Sequence, residues 1–267
     1  MATPILSEFR EMFAEQTEYR ELLYQLTLRD LKLRYKQTVM GFGWAVFMPL
    51  VNTAVFSVIF TRVAPIDTGV PYPLWAYCGL AVWNFFASGV KFATNSLAGN
   101  VHLVTKVYFP REVLPVAAVL VSGVDFLVST SVLAALMLWF HVIPGWALLY
   151  LPLLLVVQLM VAIAVSLVLS MANLFYRDVK YLVEVLMSLW MFATSVVYPV
   201  DRIGGKLGTL VGLNPLIPLV DAYRSVILYN RPPDSWGFLY VTVLSVVFLA
   251  GAWLVFHRAE FRFAESV

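Results

Sequence analysis

Phe126 to Tyr176 reads FLVSTSVLAALMLWFHVIPGWALLYLPLLLVVQLMVAIAVSLVLSMANLFY, 51 residues without one Asp, Glu, Lys or Arg. At about 1.5 Å per residue, a continuous helix of that length would greatly exceed a hydrocarbon layer of about 30 Å. The run must therefore fold back on itself. FHVIPGW, Phe140–Trp146, supplies the break, with Pro144 and Gly145 for the turn and His141 for the interface. Two crossings are expected, near 114–140 and 146–174.

The rest of the chain fits that reading. Of its 267 residues 61% are hydrophobic and 13% charged, and the mean hydropathy is +0.83. Soluble domains carry about 25% charged residues, and a globule of this length still needs a polar exterior. Further crossings are expected near 38–62, 70–94, 180–200 and 235–257, which makes six. A net charge of +2 gives no footprint for nucleic acid, and the single cysteine, Cys78, excludes an internal disulfide. Residues 1–36 are rich in Glu, Arg and Lys and lack the apolar centre of a cleavable signal peptide, so the spans themselves are expected to direct insertion.

LGTLVGLNPLIPLV, Leu207–Val220, is 14 residues long and broken by Asn214-Pro215 and Pro218. That is too short to cross, and its freed backbone groups cannot face lipid. Region 204–222 therefore reads as a re-entrant hairpin shielded by other helices, with a hydrophobic surface loop as the alternative. With six spans, thirteen Lys and Arg fall on the side of the termini and five (Arg62, Arg202, Lys206, Arg224, Arg231) on the other. By the positive-inside rule both termini are cytoplasmic.

RDLKLRYKQTVMGFGWAVFMPL, Arg29–Leu50, places Arg29, Lys32, Arg34 and Lys36 just before an uncharged segment. Those cations suit the headgroup layer, and Trp44 suits the boundary. Upstream, Tyr19, Leu22, Leu23 and Leu26 recur at i, i+3, i+4, i+7, so 18–35 reads as an amphipathic helix lying along the membrane. The fold class is an all-α integral membrane protein: six transmembrane helices, an N-terminal amphipathic interfacial helix, and a re-entrant hairpin before the last helix. In domain terms, a cytoplasmic segment 1–36 precedes a transmembrane domain 37–257 and a cytoplasmic tail 258–267.

Catalytic patterns do not emerge. His102, His141 and His257 fall in different loops or helix ends, so neither a catalytic site nor a bound metal is expected. Gly205-Lys206 is followed by Leu207, so no phosphate-binding P-loop forms, and the chain is expected to bind no cofactor. Asp125, midway along the third span, is a candidate for a polar conduit, with a local hydrogen bond to Ser122 or Ser129 as the plain alternative. Trp44, Phe47, Phe56, Trp190, Phe192 and Tyr198, in the first and fifth spans, are candidates for a central passage, because aromatic faces stack on sugar rings. The loop 95–113 is longer than a connector needs. Its Lys106, Tyr108, Phe109, Arg111 and Glu112 suit a short helix that docks in another protein's groove, against the alternative of a helix that touches lipid alone.

Four stretches, LTLRDLKLRYKQTVMGFGWAVFMPL (26–50), KVYFPREVLP (106–115), NLFYRDVKYLVEVLMSLWMFATSVVYP (173–199) and LNPLIPLVDAYRSVIL (213–228), resemble the membrane subunits of ABC exporters for cell-surface polysaccharides such as O-antigen, teichoic acid and capsule. The resemblance implies a homodimeric permease in the bacterial cytoplasmic membrane, working with two copies of a separate subunit that uses ATP and Mg. It implies an undecaprenyl-diphosphate-linked polysaccharide as substrate, a coupling helix around Lys106 to Glu112, and a portal for the lipid diphosphate at Arg29, Lys32, Arg34 and Lys36. Where the family often has proline after the threonine of the fifth-span motif, Ser195 follows Thr194. A permease for a small drug or lipid is the alternative, and a membrane enzyme acting on lipid-linked sugar is a third reading.

Overall fold

A chain whose apolar runs leave no water for the backbone must satisfy its N–H and C=O groups within each segment, which favours helices. The computed structural model describes residues 12, 14, 15, 17–36, 38, 40, 41, 43–107, 109–199, 211–260 and 263, and among these there is no strand. Tyr108, positions 204–210 of the expected hairpin, Val200 and most of the tail lie outside the described residues.

The helices are α1 (Arg20–Tyr35), α2 (Gly43–Val58, prolonged by a π-helical turn Ile59–Val63), α3 (Tyr72–Thr94), the short α4 (Ser96–Gly99) and α5 (Val101–Lys106), and α6 (Val113–Trp139). After a 3-10 turn at Trp146–Tyr150 come α7 (Leu151–Phe175), α8 (Val179–Phe192), α9 (Leu216–Ile227) and α10 (Ser235–Ala259). Four of these stretches are long and apolar enough to cross a membrane: Gly43–Val63, Val113–Trp139, Trp146–Phe175 and Ser235–Ala259. The protein is thus all-helical, with several membrane-length apolar helices.

The reversal inside the 51-residue run has a defined geometry. The Val142 N–H donates to the Met137 carbonyl at 2.9 Å and the His141 N–H to Leu138 at 3.2 Å, the paired bonds of a Schellman C-cap. His141 occupies the left-handed position, φ 57°, where glycine is usual. Past the break, the Asn230 Oδ1 accepts the Ala147 N–H at 3.1 Å, and a side chain at Gly145 would collide with Asn230.

α3 is the hub. Eighteen of its 23 residues are buried, and it packs against α2, α6, α7, α8 and α9. Around it lies the larger apolar cluster, with Tyr77, Phe85 and Phe86 almost wholly enclosed and Phe85 stacked on Phe126 of α6 at 5.5 Å. A second cluster, at the α1 end, joins Leu26, Phe109, Leu114, Phe256 and Phe263. Tyr19, Leu22 and Leu23, partly buried, pack on it, so the apolar stripe of α1 rests in part on protein.

The segment after Val211 is not a surface loop. From Leu216 onward it forms the twelve-residue α9, with Leu219, Val220, Tyr223 and Arg224 buried against α3 and α7. Arg224, which the sequence grouped with the loop cations opposite the termini, lies inside the bundle with 2% of its surface exposed. Gly79 of α3 makes room for it: a side chain there would run into the guanidinium and lie 2.6 Å from the Val196 carbonyl oxygen.

That crowding is testable. Gly79→Ala is expected to cost about 1–3 kcal/mol of stability through overpacking, read as thermal unfolding of the purified chain in detergent. Gly89→Ala, whose added methyl meets nothing closer than 3.7 Å, is expected to stay within about 0.5 kcal/mol of the parent.

Candidate functional site

A mixed polar and aromatic cavity of about 430 Å³ opens between the end of α1 and helices α2, α3 and α6. Its walls include Arg34 and Tyr35 from α1, Trp44 and Asn52 from α2, Asn84 from α3 and Asp125 from α6. Arg34 forms an ion pair with Asp125, reaches Ser122 Oγ at 3.4 Å, and lies 3.7 Å over the Phe92 ring. The Tyr35 hydroxyl donates to the other Asp125 oxygen. Burial, reinforced by Asp125, raises the Tyr35 hydroxyl above its ordinary value, so it stays protonated as the donor. Asp125 is therefore bonded across helices to residues 90 and 91 positions away, and the local bond to Ser129 that the sequence allowed is not its contact.

The four expected portal cations part company here. Arg34 is held by Asp125 inside the cavity. Arg29 bridges Asp30 at 2.8 Å and Asn100 Oδ1 at 3.1 Å, tying α1 to the loop after α4. Lys32 and Lys36 are exposed.

The aromatic candidates scatter as well. Trp44 shares the cavity with Asp125 and meets Phe47 edge-on at 5.8 Å, both rings being about 40% exposed. Phe56 is partly buried and stacks on Phe60 at 6.4 Å. Trp190 sits edge-on to Phe86 at 5.4 Å and donates its Nε1–H to Asn214 Oδ1 at 3.1 Å. Phe192 is exposed, and the Tyr198 hydroxyl folds back on the Phe192 carbonyl. Trp44 and Asp125 are thus together, while Trp190, Phe192 and Tyr198 gather at the other end of α8.

In the loop between α3 and α6, Arg111 and Glu112 turn inward. The Arg111 N–H donates to Glu260 Oε1 at 2.9 Å, its Nη1 to the Glu260 carbonyl at 2.5 Å, and its Nε to the Val104 carbonyl at 3.2 Å. Glu112 is 1% exposed and accepts from Trp253 Nε1 at 3.2 Å. Phe109 is buried in the second cluster. Burial pushes the Glu260 carboxyl up to about 7, against the pull of the Arg111 N–H. His102, Thr105, Lys106 and Val107 are left as the outward edge of α5 and its exit.

Sequence reading missed the network that closes the end of α8. There the main chain leaves the helix at Ala193, and its carbonyls need other donors. Asn214 donates to the Ala193 carbonyl at 2.9 Å and to Thr194 Oγ1 at 2.8 Å. Arg224 donates to the carbonyls of Ser195 at 2.5 Å, Val196 at 2.8 Å and Trp75 at 3.4 Å, and its guanidinium lies 3.3 Å over the Trp75 ring. Ser195, in the position where the expected proline is absent, donates its hydroxyl to Asp221 at 2.9 Å. The Asn214-Pro215 break was the visible signal; the partner carbonyls, some 20 to 30 positions upstream in helix-length sequence, gave none.

Compared with known proteins, the chain matches the family described as "ABC-2 type transporter" over residues 21–228. It is 30% identical over 256 residues to the O-antigen export system permease protein RfbA of Myxococcus xanthus, covering 95% of this chain and 98% of that one. It is also 30% identical over 250 residues to a protein of the same name from Klebsiella pneumoniae, covering 92% and 94% respectively.

The Arg34–Asp125 pair gives a direct test of the cavity's construction. Asp125→Asn is expected to cost about 1–3 kcal/mol, because it strands a partly buried guanidinium. Combining it with Arg34→Gln should cost less than the sum of the two single changes, by about 0.5 kcal/mol or more, in thermal unfolding of the detergent-solubilised chain.

Proposed function

Because the chain belongs to the ABC-2 type transporter family, we propose that it is the permease subunit of an ATP-driven exporter of lipid-linked cell-surface polysaccharide of the O-antigen type. It is a transport subunit and not an enzyme. The observation that carries the substrate class is the end-to-end likeness to permeases named for O-antigen export, at 98% coverage of the Myxococcus xanthus protein. The polar cavity adds to it: amides, a hydroxyl, a tryptophan and an ion pair offer hydrogen bonds and a stacking face to sugars, where a permease for purely apolar lipid would need none.

In this reading the spans number six. To the four membrane-length stretches are added α3 and α8. At 14 residues α8 is only about 21 Å long, short of a crossing. The donors of Asn214 and Arg224 support completing it with residues 193–199 in non-helical form, since irregular backbone is tolerated at membrane depth only when protein satisfies it. α9 is then the inner arm of a re-entrant hairpin, α1 lies at the cytoplasmic surface as the interfacial helix, and both termini are cytoplasmic.

The working unit is a pair of these chains in the bacterial inner membrane, joined to two copies of an ATPase that uses ATP and Mg. Only 11% of the spanning window of α2 is buried within the chain, against 50% for the stretch containing α7. Asn52 on α2 is exposed, and an amide left in hydrocarbon is costly. A second copy, with a watered passage between the two, supplies both cover and solvent. The cavity in one chain is too small for a polymer, so an undecaprenyl-diphosphate-linked glycan would pass between copies, with Trp44 and Phe47 at its edge. Lys32 and Lys36 remain free to attract the diphosphate, and Arg34 joins them once it leaves Asp125. The ATPase docks on the outer edge of α5, at His102, Thr105 and Lys106. Phe109, Arg111 and Glu112 hold that helix in place from behind, and Tyr108 belongs to the same loop.

Lys106→Glu is expected to lower recovery of a co-expressed partner ATPase about tenfold, a loss of about 1.4 kcal/mol, without lowering the permease's own thermal stability. Export of lipid-linked glycan by the purified chain alone, with no ATPase in the vesicle, would overturn the reading.

A further inference from the structure

Behind α5 lies a group of side chains whose free donor atoms the bracing of that helix leaves over. Glu112, at the N-terminus of α6, is 1% exposed; its Oε1 accepts from Trp253 Nε1 at 3.2 Å, and its Oε2 is buried without a partner. His257, on the last turn of α10, is also mostly enclosed, and its Nδ1 is buried without a hydrogen bond, 3.9 Å from Glu260 Oε2. Glu15 reaches the same place from the N-terminal segment, and one donor atom from each of Glu15, Glu112 and His257 lies within 4.8 Å of the others. A desolvated carboxylate oxygen beside an imidazole lone pair calls for a cation or a proton between them. Among the described residues, the charged side chains in this group include the carboxylates Glu15, Glu112 and Glu260 and the guanidinium of Arg111, which donates to the Glu260 main-chain carbonyl while the Arg111 N–H donates to the Glu260 carboxylate.

We propose that Glu15, Glu112 and His257 form a binding site for one divalent transition-metal ion, Zn2+ by preference. One imidazole and two carboxylates match a borderline cation; Ca2+ and Mg2+ would ask for six or more oxygens, and Cu(I) for sulfur. With metal–ligand bonds of about 2.0–2.1 Å, tetrahedral donors sit roughly 3.3 Å apart, so donors now within 4.8 Å of one another close in by up to about 1.5 Å on binding. The fourth position is left to water or to Glu260. Trp253 on Glu112 and Arg111 on Glu260 serve as the outer bonds that orient the ligands. Sequence spacing hid the site because its donors stand at positions 15, 112 and 257. A bound ion would clasp the N-terminal segment, the loop before α6 and the end of α10 into one unit, and the inference holds whatever the exported substrate is.

The test uses the full chain, purified in detergent and stripped with a chelator. On titration with Zn2+ and desalting, about one zinc per chain should be retained. At a hundredfold excess over the dissociation constant the unfolding temperature should rise by about 5 °C or more. Glu112→Gln, which keeps an acceptor for Trp253, and His257→Gln should each lose the retained zinc and the shift. Glu15→Gln, at the more exposed end, should weaken retention while leaving the metal-free unfolding temperature unchanged. Retention of zinc by either buried-site variant at the parental level would overturn the assignment. So would a parent whose stability responds to pH but not to zinc, the mark of a shared proton, or one that responds to Ca2+ or Mg2+ instead.

Discussion

The guanidinium of Arg224 lies flat on Trp75 and is ringed by the carbonyls of Trp75, Ser195 and Val196. On that arrangement the joining of three elements depends. α3 contributes the indole and, at Gly79, the missing side chain that lets the cation approach. The chain beyond α8 contributes carbonyls that left their helix and found no strand to pair with. α9 contributes the cation. A buried arginine without acceptors would be intolerable in so apolar a molecule, and carbonyls without donors equally so; each makes the other affordable. Asp221 completes the set by accepting from both Arg224 and Ser195.

Much of the helical order could be read in the residues, because charge and proline punctuate it. The break at Phe140–Trp146 was legible since no helix of 51 residues fits a bilayer and the turn-formers stand at its middle. The covering of each helix was not legible. Tyr19, Leu22, Leu23 and Leu26 form an apolar stripe in either case, and periodicity cannot say whether lipid or the Phe256–Phe263 pair lies against it. In a membrane protein those two surroundings are almost the same solvent.

Charges were the harder case. Arg34, Arg111 and Arg224 all looked like cations at a watery boundary, and each is committed to a partner far off in the chain. Their partners stand 91 positions on for Arg34, 149 on for Arg111 and 29 or fewer back for the Arg224 contacts beyond α8. Local spacing reports only neighbours three or four residues away. The site was therefore visible as a list of chemically apt residues, and its division into a cavity, a docking edge and an internal brace required the fold.

The brace between Arg111 and the end of α10 has a mechanical meaning. α5 is joined to the loop behind it, that loop is bonded to Glu260 and Trp253, and both belong to the last helix or its cap. α5, the start of α6 and the end of α10 are thus bonded into one unit. Both α6 and α10 pack against α7, so the brace joins two rods that share a neighbour.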